Sequence, residues 1–162
     1  MMADALYPER LVIEHMPAGG TRRIANAPRT IEVWGEMGSA EEANRMSEVM
    51  RDVIPYPSQE DCTKRPSDTH VCLARGEYDI HHHNHVQSLP IWTHAEDIGL
   101  AVSSFTIRVV NNWGGQRTCL YRLRMIGTAY AIEDDAQEQS DTITEQSDTT
   151  MEYEHHDSMT EQ

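Results

Sequence analysis

Apolar and polar residues alternate along several short runs of this chain. Thr30-Ile31-Glu32-Val33-Trp34 sets Ile31 and Val33 against Glu32 and Trp34. Phe105, Ile107 and Val109 alternate with Thr106, Arg108 and Val110. Cys119, Tyr121, Leu123 and Met125 alternate with Leu120, Arg122, Arg124 and Ile126. A period of two is what strands with one buried face require. Leu11-Val12-Ile13-Glu14-His15 is a further β-rich run, closed by the turn residues Pro17-Ala18-Gly19-Gly20. Between the last two alternating segments lies Asn111-Asn112-Trp113-Gly114-Gly115-Gln116, a loop of hairpin type whose glycines permit positive φ.

One segment has helical spacing instead. Ser39 followed by Glu42 forms a capping box, and Ala43, Met46, Val49, Met50 and Val53 recur at i, i+3, i+4 before Pro55 stops the run. The spacing predicts a helix near 40–53, packed by one face. The remainder predicts an all-β class: an antiparallel β-sandwich with short strands and long loops.

Charge separates a body from a tail. Of 27 acidic residues, 11 fall within 129–162, where there is no Lys or Arg, which leaves 16 acids against 13 bases in residues 1–128. Low hydrophobicity with like charge does not bury enough area to offset backbone ordering, so 129–162 is expected to be a disordered acidic tail. Gln-Ser-Asp-Thr recurs there at 139–142 and 146–149, a low-complexity repeat. A nucleic-acid surface is disfavoured, because phosphate binding needs clustered bases and Lys64 is the single lysine. No apolar run approaches the roughly 20 residues that span a bilayer, so no membrane insertion by this chain itself is expected. Three cysteines, Cys62, Cys72 and Cys119, form no CxxC pair, which removes zinc-ribbon and thioredoxin-like readings.

Candidate chemistry is sparse. In an extended segment His81, His83 and His85 would share a face, a spacing suited to zinc, copper or nickel. Against that metal reading stands a polar loop whose histidines bond to backbone or water, with Asp79 the nearest carboxylate. No G-x-S-x-G elbow or glycine-rich phosphate loop is present, so hydrolase chemistry is not expected, and nothing in these residues calls for a cofactor. His15 at a strand end reads as structural from position alone. Trp34 and Trp113 read as packing or loop-anchoring residues, and Tyr121, beside Leu123 and Met125, reads as core.

Three segments together resemble SUN domains. The first is Val12-Ile13-Glu14-His15-Met16-Pro17 followed by Ala27-Pro28-Arg29-Thr30-Ile31-Glu32-Val33-Trp34-Gly35. The last is Val109-Val110-Asn111-Asn112-Trp113-Gly114 followed by Thr118-Cys119-Leu120-Tyr121-Arg122-Leu123-Arg124-Met125-Ile126-Gly127. Between them, Gly76-Glu77-Tyr78-Asp79-Ile80-His81 and Asn84-His85-Val86-Gln87-Ser88-Leu89 resemble the family's strand pair in a fungal-type form. The resemblance covers about residues 7–128, with 1–6 as an N-terminal stub. It implies a jelly-roll β-sandwich related to galactose-binding and discoidin-like modules. It also implies a location in the perinuclear lumen of the nuclear envelope, and binding of the C-terminal peptide of KASH-type partners to tether the nucleus to the cytoskeleton. A carbohydrate-binding module on the same jelly roll is the alternative, since fold does not fix function.

Carried over residue by residue, the resemblance puts His15 on the family's pocket histidine and Tyr121 on its pocket tyrosine. Asn26 stands in place of a serine before Ala-Pro. Arg117 stands where many animal members have a second tyrosine, and an arginine there can pair with a carboxylate. Family domains carry further strands, a cation-binding loop, a lid and the partner of the Cys119 position upstream of the Glu-His-x-Pro motif, and a coiled coil and membrane helix before those. Here the chain begins ten residues before that strand. The expectation is therefore an incomplete, truncated sandwich, marginally stable and prone to self-association through unpaired edges. In an oxidising lumen a Cys62–Cys72 bridge is expected, leaving Cys119 free.

Overall fold

The structure is a computed structural model, and it describes residues 5–53 and 62–130. The tail beyond Tyr130, most of the N-terminal stub and residues 54–61 lie outside the described residues. Six strands and one helix make up the described chain: β1 (Leu6–Glu14), β2 (Thr30–Glu36), α1 (Ala40–Val53), β3 (His70–Glu77), β4 (Val86–Pro90), β5 (Phe105–Val109) and β6 (Arg122–Ala129). They form two three-stranded sheets, ordered β4-β1-β6 and β3-β2-β5, with every pairing antiparallel. The all-β class read from the sequence is the class observed.

Both sheets feed one core. Leu11 and Ile13 of β1 cluster with Ile31 and Val33 of β2, Val71 and Leu73 of β3, and Leu100 and Val102 from the loop before β5. The helix joins by one face. Ser39 Oγ accepts from the Glu42 N–H (3.1 Å), and the Glu42 carboxylate reaches back to the Gly38 N–H (3.1 Å), so the capping box closes one residue further out than expected. Ala43, Met46 and Met50 are buried, and each methionine withdrawn from water contributes about 1.5–3 kcal/mol. Val53 is half exposed, contrary to the expected stripe, and buried Ser47 takes the neighbouring position. Ser47 Oγ donates to the Ala43 carbonyl (2.7 Å) and accepts from Arg65 (2.9 Å), which satisfies a hydroxyl inside the packed face.

Two expected strand pairs do not form. β5 pairs with β2 and β6 with β1, so the two alternating segments around Trp113 lie in different sheets and are not a hairpin. Alternation reports that a face is buried but names no neighbour. The intervening loop runs alongside residues 25–30: the Asn111 carbonyl accepts from the Arg29 N–H (2.9 Å), its side chain from the Thr30 N–H (3.0 Å), and the Ala27 carbonyl from the Trp113 N–H (3.3 Å). Likewise the expected pair of strands 76–81 and 84–89 does not form: the first segment leaves β3 after Glu77, and β3 and β4 belong to separate sheets. Cys119 and Tyr121 precede β6, and both are exposed.

Among the described residues no helix is long and apolar enough to cross a membrane.

Candidate functional site

The end of β1 delivers the chain to a set of loops. His15 follows directly, its N–H donating to the His85 carbonyl at 3.2 Å. Its Nδ1 lies 3.0 Å from the Met16 carbonyl, which accepts only, so Nδ1 donates. The side chain is 6% exposed and packs 6.0 Å from the ring of Tyr78. Tyr78 donates its hydroxyl to the same His85 carbonyl (2.9 Å), and burial pushes its phenol above the usual 10.0. His15 is thus held rigidly at both backbone and ring.

Two short 3-10 turns, Ala18–Gly20 and Ile24–Asn26, carry the chain from His15 to β2. Against the second turn lies the loop that joins β5 to β6. The Ala25 carbonyl accepts from the Gly115 N–H (3.0 Å), and the Asn26 carbonyl from the Cys119 N–H (2.8 Å). A β-carbon on Gly115 would stand 2.1 Å from Asn26 Oδ1 and 2.8 Å from the Ala25 carbonyl oxygen, so this approach requires glycine. Gly114 uses its freedom differently, at φ +98°. Asn112 folds the loop from within, donating to the carbonyls of Gly115 (3.0 Å) and Arg117 (3.1 Å) and to Thr118 Oγ1 (3.1 Å). Trp113 is its anchor: the indole N–H donates to the Tyr78 carbonyl (2.8 Å), and the Arg29 guanidinium sits 4.7 Å from the ring centre. Loop anchoring was its expected role.

This packing leaves an open cavity of about 460 Å³ lined by His15, Asn26, Arg117 and Tyr121, the four peptide-binding candidates. Cys119, an exposed free thiol, lies on the same wall, 4.0 Å from Asn26 Nδ2. A smaller adjoining cavity of about 270 Å³ shares His15, Met16 and Tyr121 and reaches Glu14 and His85. Tyr121 is 67% exposed, so the core role read from its position is corrected: it stands before β6, where the chain has not yet entered the sheet.

Six residues of the cavity were not among the sequence candidates: Met16, Gly20, Thr21, Arg22, Arg23 and Leu120. Of the five large hydrophobic side chains exposed among the described residues, Met16, Leu120 and Tyr121 all line this cavity. No Asp or Glu lines it. Among the described residues the guanidiniums of Arg22, Arg23 and Arg117 make no ion pair, in contrast to Arg10, Arg29, Arg75, Arg108, Arg122 and Arg124. Glu14 next door is engaged by Arg124 and, at 3.8 Å, by Arg122. The Arg22-Arg23 dipeptide was visible in the sequence, but only the fold brings it beside Arg117.

The histidine cluster does not assemble. Residues 79–85 turn instead of running extended, so His81, His83 and His85 do not share a face. His81 stacks edge-on with Trp113 at 5.5 Å, while His82 pairs with His83 at 4.4 Å. The turn is set by Asp79, whose side chain accepts from the His81 N–H (2.8 Å), and by Gln87, which bonds both backbone groups of Asp79. Among the described residues no three His, Cys, Asp or Glu side chains are grouped to hold a metal ion.

A second polar cluster centres on a buried carboxylate, with its arginines partly exposed. Glu32 points from the middle of β2 and is fully buried, because the loop after Cys62 covers that face of the sheet. A Cys62–Cys72 disulfide ties the loop to β3. The carboxylate accepts from Arg75 (2.7 Å), the Thr63 N–H (2.8 Å), the Thr63 hydroxyl (2.6 Å) and the Trp34 indole (3.1 Å), with Arg108 at 3.6 Å. Burial raises its pKa, but the two Thr63 bonds, the Trp34 bond and the Arg75 charge outweigh that effect and hold it below the ordinary 4.5. In comparison with known proteins, no family model and no curated protein matches this chain.

Proposed function

We propose that this chain is a SUN-like, non-enzymatic receptor of the perinuclear lumen, built on a jelly-roll sandwich, that binds the C-terminal peptide of a KASH-type partner at the nuclear envelope. One observation supports the reading above others: His15, Asn26, Arg117 and Tyr121, drawn from opposite ends of the domain's sequence, line one cavity. The chemistry suits a peptide end. Arg117 offers a charge-assisted pair to a terminal carboxylate, and neutral His15 accepts a peptide N–H at Nε2. The Tyr121 hydroxyl serves either partner, and Met16 and Leu120 offer apolar contact to the residues upstream.

Fluorescence anisotropy with labelled peptides tests this. A peptide with a free C-terminus is expected to bind at least about tenfold more tightly than its amidated form, since a hydrogen bond to a charged group contributes about 1.5–3 kcal/mol. His15→Ala and Tyr121→Phe are each expected to weaken the free form. Equal binding of the amidated peptide, or glycan-array binding without peptide binding, would overturn the reading.

A further inference from the structure

We infer that the cavity selects a C-terminal peptide whose last residues are themselves acidic, so that it meets more than the single charge of a terminal carboxylate. The inference rests on the peptide-end reading above and deepens it. Its ground is an imbalance of charge. The body has more acids than bases, and six of its twelve described arginines are matched by carboxylates, yet three of the other six line one cavity with no acid in its lining. The contrast with another cavity is direct. That one, of about 390 Å³, is lined by Glu9, Glu96 and Asp97 and by no Lys or Arg.

One terminal carboxylate satisfies one guanidinium in a bidentate pair. Arg117 is the candidate for that pair, which leaves Arg22 and Arg23 on the opposing turn facing the same space. Like charges held together repel, and anionic side chains entering between them convert that repulsion into attraction. The apolar rim formed by Met16, Leu120 and Tyr121 argues for a polypeptide over a small inorganic anion, because an anion has no use for exposed hydrophobic area. The volume, about 460 Å³, falls in the range of cavities that enclose ligands.

The test uses four peptides sharing one apolar upstream sequence, ending in Asp-Glu or in Asn-Gln, each with a free or an amidated C-terminus. By anisotropy on the full chain, the Asp-Glu peptide with a free end is expected to bind at least about tenfold more tightly than its Asn-Gln counterpart in dilute salt. The ratio should shrink in about 0.5 M salt as screening shortens the reach of the charges. In an Arg22→Gln, Arg23→Gln double variant the ratio should fall toward one, with far-UV circular dichroism as the control for folding. A ratio near one in the unaltered protein, with free ends still preferred over amides, overturns the acidic selectivity and leaves the peptide-end reading standing. A preference for Asp-Glu that ignores amidation supports the acidic selectivity and removes the peptide-end reading beneath it. A ratio that survives the double substitution overturns the assignment to these arginines.

Discussion

Two polar regions of this molecule use arginine in opposite ways. At Glu32, Arg75 and Arg108 converge on a fully buried carboxylate that also accepts from Thr63 and Trp34, so both arginines have an anionic partner from their own chain. At the cavity below β1, Arg22, Arg23 and Arg117 converge on space, and no carboxylate of the lining answers them. Composition does not distinguish the two, for each is arginine beside polar neighbours. What separates them is where the compensating charge comes from. A cluster paired within its own chain fastens a loop to a sheet, whereas the arginines of the cavity are open to the anionic partner proposed above.

The sharpest way to break the comparison is to remove the internal carboxylate. Glu32→Ala strands Arg75, Arg108, Thr63 and Trp34 without their shared acceptor and is expected to cost about 3 kcal/mol, read as a lower urea midpoint. The same group fixes the acid limb of stability. Its folded-state pKa lies below the ordinary 4.5, so its contribution is complete above that value and is lost as pH falls through the lowered folded-state value. Urea midpoints measured from pH 6 to pH 2 should therefore decline below about pH 4.5, less steeply in Glu32→Gln. An unchanged acid limb in that variant would remove Glu32 from the account.

Next in size is the disulfide. A Cys62→Ser, Cys72→Ser variant frees the loop that covers Glu32 and is expected to lose up to about 3 kcal/mol by the loop-entropy model, with less in practice where the unfolded loop retains order. If the covering loop and the Glu32 cluster are one device, combining this change with Glu32→Ala should cost less than the two separate losses added together. Full additivity would show them to be independent.

A smaller effect on stability, but a larger one on the cavity, is expected of Gly115→Ala. The added methyl meets Asn26 and the Ala25 carbonyl and forces the loop away from the 24–26 turn, at about 1–3 kcal/mol. Peptide binding should weaken more than the melting temperature moves. A melt shift with unaltered binding would detach the loop from the site.

The helix was legible almost to the residue, because Ser39, Glu42 and Pro55 mark its ends through local chemistry that needs no tertiary context. The strands β2 and β5 were legible for the same reason, since alternation is local, but their burial was not: β2 is buried on both faces and β5 is partly buried throughout. Strand partnership was not: β5 and β6 flank a glycine-bearing loop, yet that loop is drawn along residues 25–30 by Asn111 and Trp113, whose partners lie far off in sequence. Glu32 read as the polar side of a half-buried strand, and its burial depends on a loop from another part of the chain. At the cavity, His15, Asn26, Arg117 and Tyr121 were named through resemblance. Arg22 and Arg23 were not, because the stretch between the two short turns carries no periodic signal, and Met16 and Leu120, though inside the quoted motifs, carried no sign that they would be exposed beside them.

The segment from Val110 to Tyr121 leaves one sheet and enters the other, and on the way it forms a wall of the cavity. A molecule bound against that wall would brace the crossing that links the two sheets. Heat resistance and occupancy are then coupled quantities, each rising with the other as free ligand exceeds its dissociation constant.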